Sequence, residues 1–407
     1  MRRILLACSA LLPLASTAVA QELFLLGGPQ SGTASGISDD GSVVAGYDSS
    51  EYWYWTEKTG VVLIGGQVPG NGVGGQAKIS GDGTRMTAGE LNLDTGKVEA
   101  NIYHIDAFQW QPLGSFGASC DAESSGGWNI SGDGSTVVGL AWEPGCQARA
   151  FRWREATGMV NLGTLFFFRP TRANDCNHDG SVIVGWNDTY TGFRQAAVWT
   201  NGVQQMLFGP GNARLAEAGV VSADGAWVGG IGTPALGNEA WRWSAATGYQ
   251  SLGPVPIPGL TGYVTGLSAD GSVALCFFRV PVPPATSGEG YLWIEKQGLI
   301  PLEEYAISQG VDVPPDVRLA LPLGMSPDGR NIVGRARTKN GDQAFILRLG
   351  PSEDQCPADL NHDGVVDAVD LTMLLTAWGT PDADLDGDGI TDATDLVILL
   401  AAWGDCP

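Results

Sequence analysis

The sequence predicts a mainly β protein, a seven-bladed β-propeller closed by its N-terminal strand, followed by a small α-helical domain with two calcium loops. Three observations support this prediction. Residues 21–350 repeat an Asp-Gly turn seven times, and each repeat alternates turn residues with short apolar and aromatic runs. Residues 356–407 contain two copies of an acidic loop that runs into an apolar helix. Six or eight blades are the neighbouring possibilities.

The N-terminus and the composition predict an exported protein. In residues 1–20, Arg2 and Arg3 precede an apolar stretch and a small-residue cleavage site, which is the layout of a signal peptide. No later segment approaches the roughly 20 apolar residues that span a bilayer, so we expect no membrane span and a secreted or cell-surface location. The net charge of −22 leaves no basic stripe for nucleic acid, which we do not expect as a partner.

Each repeat predicts the four strands of one propeller blade. Ser or Asn stands two positions before each turn Asp, where its side chain can bond the turn backbone. An aromatic residue follows in the third strand of six repeats, and several repeats end a fourth strand in Leu-Gly or a near equivalent. The turn acids are Asp40, Asp82, Asp133, Asp179, Asp224, Asp270 and Asp328, and the third-strand residues are Trp55, Tyr103, Trp153, Trp199, Trp243, Trp293 and, in the seventh repeat, Leu347.

The ends of the repeat region predict ring closure. The seventh repeat stops after residues 344–350 without a fourth strand, whereas residues 23–27 form an apolar segment with no repeat of their own. The N-terminal segment most simply completes the last blade and hides both sheet edges. A solenoid, the alternative for such repeats, would leave the two ends far apart.

The two acidic loops lie 25 residues apart and place oxygen ligands at positions 1, 3, 5, 7, 9 and 12 of a calcium loop. Position 7 contributes a main-chain carbonyl, and glycine at position 6 permits the sharp turn. We therefore predict two bound Ca²⁺ ions. The predicted ligands are Asp359, Asn361, Asp363, Val365, Asp367 and Asp370 in the first loop, and Asp384, Asp386, Asp388, Ile390, Asp392 and Asp395 in the second.

Two matched helices favour a folded domain over an acidic disordered tail, although residues 351–407 hold thirteen acids and no Lys or Arg. Their apolar residues have the spacing of one buried stripe: Leu371, Leu374, Leu375 and Trp378 in the first helix, and Leu396, Leu399, Leu400 and Trp403 in the second.

Apart from Cys8 in the predicted signal peptide, the cysteines divide into two predicted disulfides and two buried free thiols. Cys356 and Cys406 bracket the C-terminal domain, and Cys120 and Cys146 fall at one edge of the third blade. The predicted free thiols are Cys176 and Cys276.

Two acids are the candidate residues for an active site. Asp175 and Glu217 are the acids we place near the channel, as a glycosidase would require, but a strand end or turn is the favoured interpretation of both. Residues 175–180 copy the start of the first calcium loop, yet Ile183 and Trp186 stand at loop positions 9 and 12 and offer no carboxylate. We interpret this segment as a blade turn.

The C-terminal domain, residues 356–407 after a linker at 351–355, resembles the type I dockerin module, because Asp occupies position 12 and no entering helix precedes either loop. The resemblance implies docking onto a cohesin-like or cell-surface protein. Residues at loop positions 10 and 11 help to select the partner in that family. Here these residues are Ala368, Val369, Ala393 and Thr394.

The repeat region resembles the extracellular HAF-type repeat through Ala150-Phe151-Arg152-Trp153 with Leu162-Gly163, through Gln343-Ala344-Phe345, and through Ser-x-Asp-Gly. The first position of the family's tripeptide, His, is occupied by Arg149, Glu239 or Gln343 here. The resemblance implies an exported repeat protein and supplies no reaction.

These observations favour a secreted calcium-binding interaction protein whose propeller presents a ligand-binding surface, with a glycan as one candidate ligand. An extracellular glycoside hydrolase or polysaccharide lyase is the first alternative, because dockerins are commonly attached to such enzymes. A structural cell-envelope repeat protein is the second. The sequence contains no nucleophile elbow, phosphate loop or metal-hydrolase motif, which favours a non-enzymatic function.

Overall fold

The computed structural model describes residues 21–26, 32–48, 50–68, 76–120, 123–280, 288–349, 356–361, 365–386 and 389–405. The predicted signal peptide and the linker at 351–355 lie outside these residues. The described residues fall into two compact units, one over Gln21–Leu349 and one in the C-terminal part of the chain from residue 356. Among the helices of these residues, none combines the length and apolarity needed to cross a bilayer.

The larger unit is a seven-bladed propeller of antiparallel sheets, as the sequence predicts. Strand β1 (Glu22–Leu26) belongs to the last blade. The first three blades contain β2 (Thr33–Ile37), β3 (Val43–Tyr47), β4 (Tyr52–Thr56) and β5 (Gly60–Gly65); β6 (Arg85–Asn92), β7 (Lys97–His104) and β8 (Gln109–Pro112); and β9 (Ser125–Ile130), β10 (Thr136–Glu143), β11 (Gln147–Arg154) and β12 (Gly158–Asn161).

The remaining blades complete the ring. They contain β13 (Thr171–Cys176), β14 (Val182–Asp188), β15 (Arg194–Thr200) and β16 (Val203–Met206); β17 (Ala218–Val221), β18 (Trp227–Gly230), β19 (Trp241–Ser244) and β20 (Gly248–Ser251); β21 (Thr261–Leu267), β22 (Val273–Arg279), β23 (Glu289–Ile294) and β24 (Gly298–Pro301); and β25 (Arg318–Met325), β26 (Asn331–Thr338), β27 (Gly341–Arg348) and β1.

The second blade departs from the four-strand prediction. Its innermost strand is reduced to a bridge between Ile79 and Met86. The side chain of Thr87 interrupts the ladder, because its hydroxyl accepts a hydrogen bond from the Lys78 amide at 3.1 Å and donates one to the Gln76 carbonyl at 2.6 Å. A side chain thus replaces part of the backbone pairing.

The predicted closure of the ring is confirmed. Strand β1 pairs antiparallel with β27, with Leu23 opposite Leu347 and Leu25 opposite Phe345. Successive β1 side chains point to opposite faces, so Leu23 and Leu25 pack on the sixth-blade side while Phe24 packs towards Trp55 of the first blade. The N-terminal strand therefore shields both faces of the last blade, and a solenoid is excluded.

The Ser-x-Asp-Gly turns form the predicted hydrogen bonds. In the sixth blade, the Ser268 hydroxyl donates to Asp270 at 2.6 Å and accepts from the Val273 amide at 2.9 Å, while Gly271 adopts a φ of 73°. The same pair of serine contacts recurs at Ser38, Ser80, Ser131, Ser222 and Ser326. These contacts stabilise the turn in six blades, and in the fourth blade the Asn177 side chain accepts the corresponding hydrogen bond from the Val182 amide.

Backbone hydrogen bonds also join these turns from blade to blade. The Asp39 amide donates to the Gly81 carbonyl at 2.9 Å, and the Gly81 amide donates to Gly132 at 2.8 Å. The Asp133 amide continues the series to His178, and the His178 amide reaches Ala223 at 3.1 Å. This belt around one end of the channel satisfies backbone groups that no single blade could pair.

A short helix, α1 (Leu302–Ser308), follows β24 and was not predicted. Leu302 and Ala306 are buried in the apolar cluster between the sixth and seventh blades. Seven residues span about two turns, which is too short a segment for its 3.6-residue period to stand out in the sequence.

In the C-terminal unit, the described residues form two helices and one small strand pair. Strand β28 (Val365–Val366) precedes α2 (Ala368–Thr376), and α3 (Ala393–Ala401) precedes β29 (Gly404–Asp405), which pairs with β28. The core of this unit is built around Leu374 and Leu399, one from each helix, together with Val366 and Cys356.

Candidate functional site

The two helices of the C-terminal unit begin in the same way. Asp367 caps α2 by accepting a hydrogen bond from the Val369 amide, and Asp392 caps α3 by accepting one from Thr394, both at 2.7 Å. Each cap is a capping box in which the Asp at loop position 12 accepts from the backbone amide of the cap. The residues predicted at positions 9 and 12 therefore shape the helix start.

Position 12 also fixes the start of its loop. Asp370 accepts hydrogen bonds from the amides of Leu360 and Asn361 at 2.8 and 3.1 Å. In the second loop, Asp395 accepts from Leu385 and Asp386 at 2.6 and 3.2 Å. Both position-12 carboxylates are buried, and the hydrogen bond from the Asp392 amide helps to lower the pKa of Asp395. The duplicated sequence thus folds into duplicated loop geometry.

In the second loop, three predicted ligands converge. Carboxylate oxygens of Asp384, Asp386 and Asp395 all lie within 4.8 Å of one another. Ligand oxygens that surround Ca²⁺ at 2.3–2.6 Å can be at most about 5 Å apart, so this spacing fits one calcium ion. Asp384 also accepts from the Gly389 amide at 2.7 Å, which closes the loop at a glycine with a φ of 95°.

The other predicted ligands are placed as follows. Asp359 is buried at the start of the first loop, Val365 lies in β28, and Ile390 is exposed in the second loop. Asp363 and Asp388, both predicted at position 5, lie outside the described residues.

The four residues predicted to select a partner are exposed. Ala368 and Val369 form the first turn of α2, and Ala393 and Thr394 form the first turn of α3. The predicted burial of the whole helical stripe is wrong. Trp378 and Trp403 are 46% and 49% exposed, and Leu375 and Leu400 are also exposed. Two helices in so small a unit bury one side of each helix, so the outer part of the stripe faces solvent.

The predicted Cys120–Cys146 disulfide is present, with Cα atoms 5.6 Å apart. Cys356 is also disulfide-bonded, and its predicted partner Cys406 lies outside the described residues. Cys176 and Cys276 are buried free thiols, as predicted, and burial raises the pKa of both.

The propeller encloses a central cavity of about 350 Å³, lined by the innermost segments of all seven blades. Its polar side chains concentrate on the second, third and fourth blades, where Lys78, Asn129 and Asp175 occupy equivalent positions two residues before the turn Ser or Asn. The first and seventh blades place Gly36 and Gly324 there. The cavity therefore has a polar wall facing a wall of small residues.

Asp175 ties three blades together. Its carboxylate accepts hydrogen bonds from the Asn129 side chain of the third blade, from the Cys176 amide, and at 2.8 Å from the Val221 amide of the fifth blade. Burial raises the pKa of this carboxyl to about 6. These contacts account for Asp175 as a structural acid in the channel wall.

Glu217 lies just before β17 and is shared by two arginines. It pairs with Arg172 at 3.1 Å and with Arg194. The Arg172 guanidinium also lies over the Trp128 ring, 3.7 Å from its centroid. Glu217 therefore offsets one of two positive charges at the junction of the fourth and fifth blades.

Sequence reasoning missed Lys78 in the cavity wall. Its ammonium donates to the Leu323 carbonyl at 2.9 Å, and burial lowers its pKa to about 8. Alignment of the repeats contains the signal, because Lys stands where the first, sixth and seventh blades have glycine.

Several solved structures are similar to this chain, and the first of those below supports the propeller fold. The β-propeller domain of the trilobed protease from Pyrococcus furiosus has a TM-score of 0.50 and 11% identity, covering 78% of this chain and 95% of that chain. A putative TolB from Agrobacterium tumefaciens has a TM-score of 0.46 and 13% identity, covering 71% of this chain and 94% of that chain. An oligogalacturonate lyase in complex with manganese has a TM-score of 0.49 and 13% identity, covering 80% of this chain and 93% of that chain. No family model and no curated protein matches the sequence.

Proposed function

We propose that this protein is a secreted, calcium-dependent interaction protein whose C-terminal unit binds two Ca²⁺ ions and docks onto a cohesin-like or cell-surface protein. The observation that carries the proposal is the convergence of the Asp384, Asp386 and Asp395 carboxylates within 4.8 Å. All three donors are the hard oxygen ligands that Ca²⁺ prefers. Asp395 Oδ1 accepts from two backbone amides, whereas Oδ2 accepts from the Asp392 amide and is the oxygen with capacity for an ion.

The first loop supports a second ion. Asp370 holds the backbone of Leu360 and Asn361 as Asp395 holds that of Leu385 and Asp386. Because the two loops share these contacts, we propose a second calcium site in the first loop.

Calcium binding supports docking in two ways: it reduces repulsion among the acids of this unit, and it orders the surface that meets the partner. Without cations, the thirteen acids of residues 351–407 repel one another, since no Lys or Arg stands among them. Two bound calcium ions offset part of this charge and hold the loops that lead into the first turns of the helices, where Ala368, Val369, Ala393 and Thr394 lie. Exposed apolar side chains such as Trp378 and Trp403 are typical of an interaction surface.

The enzymatic alternative lacks a supporting contact in the described residues. Asp175 accepts three hydrogen bonds, and Glu217 is paired with two arginines. Our proposal therefore gives the propeller a presenting role.

The experiment is partner capture from the exported proteins of the producing cell, with calcium and with chelator. We expect a partner that is retained in calcium and released by chelation.

Asp386→Ala removes a ligand but leaves both capping boxes intact, and should weaken calcium binding at one site by about tenfold or more in calorimetry. Asp382→Ala is the matched control, because this exposed acid lies outside both loops. Partner retention in chelator would contradict calcium-dependent docking, and unfolding of the unit without partner release would favour the structural alternative.

A further inference from the structure

The fourth blade exposes an aromatic and basic surface that the proposed calcium sites do not explain. We define it as the aromatic–arginine surface, formed by Phe167, Phe168, Arg169, Tyr190, Phe193 and Arg214. Its four aromatic rings are 73%, 64%, 63% and 61% exposed at Phe167, Phe168, Tyr190 and Phe193. Clusters of large apolar side chains at such exposure mark interaction sites on soluble proteins.

Side-chain hydrogen bonds order the two loops that carry these rings. The buried Asn187 side chain accepts a hydrogen bond from the Leu165 amide at 2.9 Å, and the Thr164 hydroxyl lies 3.2 Å from the same oxygen. Arg169 donates to the Tyr190 carbonyl and so joins one loop to the other. A surface ordered before binding loses less conformational entropy when a partner arrives.

The charge of this surface differs from that of the whole chain. Arg214 stacks over Phe193 at 5.3 Å from the ring centroid and donates to the Arg194 carbonyl at 2.6 Å. Two acids are near these arginines: Asp188 interacts with Arg169 and Arg194, and Glu217 pairs with Arg172 and Arg194. A local excess of arginine on a chain of net charge −22 provides complementarity to an acidic partner.

The arrangement of the rings distinguishes a peptide from a polysaccharide. Phe166 meets Tyr190 edge to face, with planes at 73°, and Phe167 meets Phe168 at 48°. No flat platform is formed by these pairs on which successive sugar rings could stack. Tilted rings leave clefts that suit branched apolar side chains, and arginine forks suit carboxylates. Phe, Tyr and Arg are also enriched where proteins bind proteins.

We propose that the aromatic–arginine surface binds an acidic protein segment in which carboxylates alternate with apolar side chains. This proposal extends the presenting role of the propeller given above, and it does not require calcium.

The test uses the intact protein and fluorescence anisotropy with labelled synthetic peptides. The probe alternates glutamate with leucine, and the control peptide alternates lysine with leucine. We expect the acidic peptide to bind, to weaken as salt is raised, and to bind equally in calcium and in chelator. Failure of the calcium sites alone would therefore leave this binding unchanged.

Two pairs of substitutions locate the site. Phe167→Ser with Phe193→Ser should weaken binding by about tenfold or more, because both rings are central to the surface. Arg169→Gln with Arg214→Gln should weaken it and flatten its salt dependence. Phe108→Ser, an exposed ring on another blade, should leave binding unchanged. Circular dichroism melting curves identify any variant that fails to fold, and the second pair then decides.

Several results would overturn the proposal. They are absence of binding, equal binding of the basic peptide, or binding that survives both pairs of substitutions. Polygalacturonate binding that is lost in the same variants, without peptide binding, would assign the surface to a glycan instead.

Discussion

At the residue scale, Asp175 illustrates how a repeat protein uses a buried charge. The sequence marks it as a weak catalytic candidate because it stands near the channel, and the structure gives its carboxylate three hydrogen bonds that span three blades. Lys78 faces it from the second blade and favours its charged form. Such long-range partners are invisible to spacing along the chain, so the sequence could place Asp175 but could not assign its role.

Asp175 predicts a specific dependence of stability on pH. Burial raises its folded pKa to about 6 from an ordinary value of 3.8, so the folded state binds more protons between these values. The free energy of unfolding therefore falls as pH rises through this window. Relative to Asp175→Asn, wild-type protein should gain about 2 kcal/mol between about pH 7 and about pH 4.5, measured by urea unfolding.

A control with the opposite sign is available in the same blade. The hydrogen bonds from Ser181 lower the pKa of Asp179, so Asp179→Asn should remove stability that is present at neutral pH and lost in acid. If the Asp175→Asn difference does not change with pH, the buried charge assigned to Asp175 is wrong.

At the element scale, the predictable features are those that depend on near neighbours in sequence. The serine-locked turns and the aspartate-capped helices follow from local hydrogen bonds, which recur wherever the motif recurs. The reduced first strand of the second blade was not predictable, because it depends on where the Thr87 hydroxyl points. The belt of turn-to-turn hydrogen bonds depends on the ring and has no sequence signal.

Strand β1 is the element whose removal tests the ring. Deletion of residues 21–26 exposes the edge of β27 and the apolar faces that Leu23, Phe24 and Leu25 cover. We expect a loss of at least about 3 kcal/mol in unfolding free energy, together with self-association seen by light scattering. A synthetic peptide of residues 21–26, added in excess, should restore the monomer. An unchanged unfolding midpoint in a monomeric truncated protein would contradict closure by β1.

At the scale of the whole molecule, the sequence predicted more of the fold than of the function. Seven Asp-Gly repeats predict seven blades. The seventh repeat lacks a fourth strand, which predicts that the N-terminal strand closes the ring; both predictions come from counting repeats and strands along the chain. Function depends on which side chains meet across blades or remain exposed after packing. The half-exposed Trp378 and Trp403 and the aromatic–arginine surface therefore required the structure.

The most direct measurement of the central claim is the calcium content of the intact protein after equilibrium dialysis. We expect two ions per chain, one per loop, a single ion after Asp386→Ala, and two ions in Asp382→Ala. In calorimetric melting, chelation should lower the unfolding temperature of the C-terminal unit. It should leave the unfolding temperature of the propeller unchanged. A chain that retains no calcium at millimolar free ion, with its C-terminal unit folded, would contradict the account.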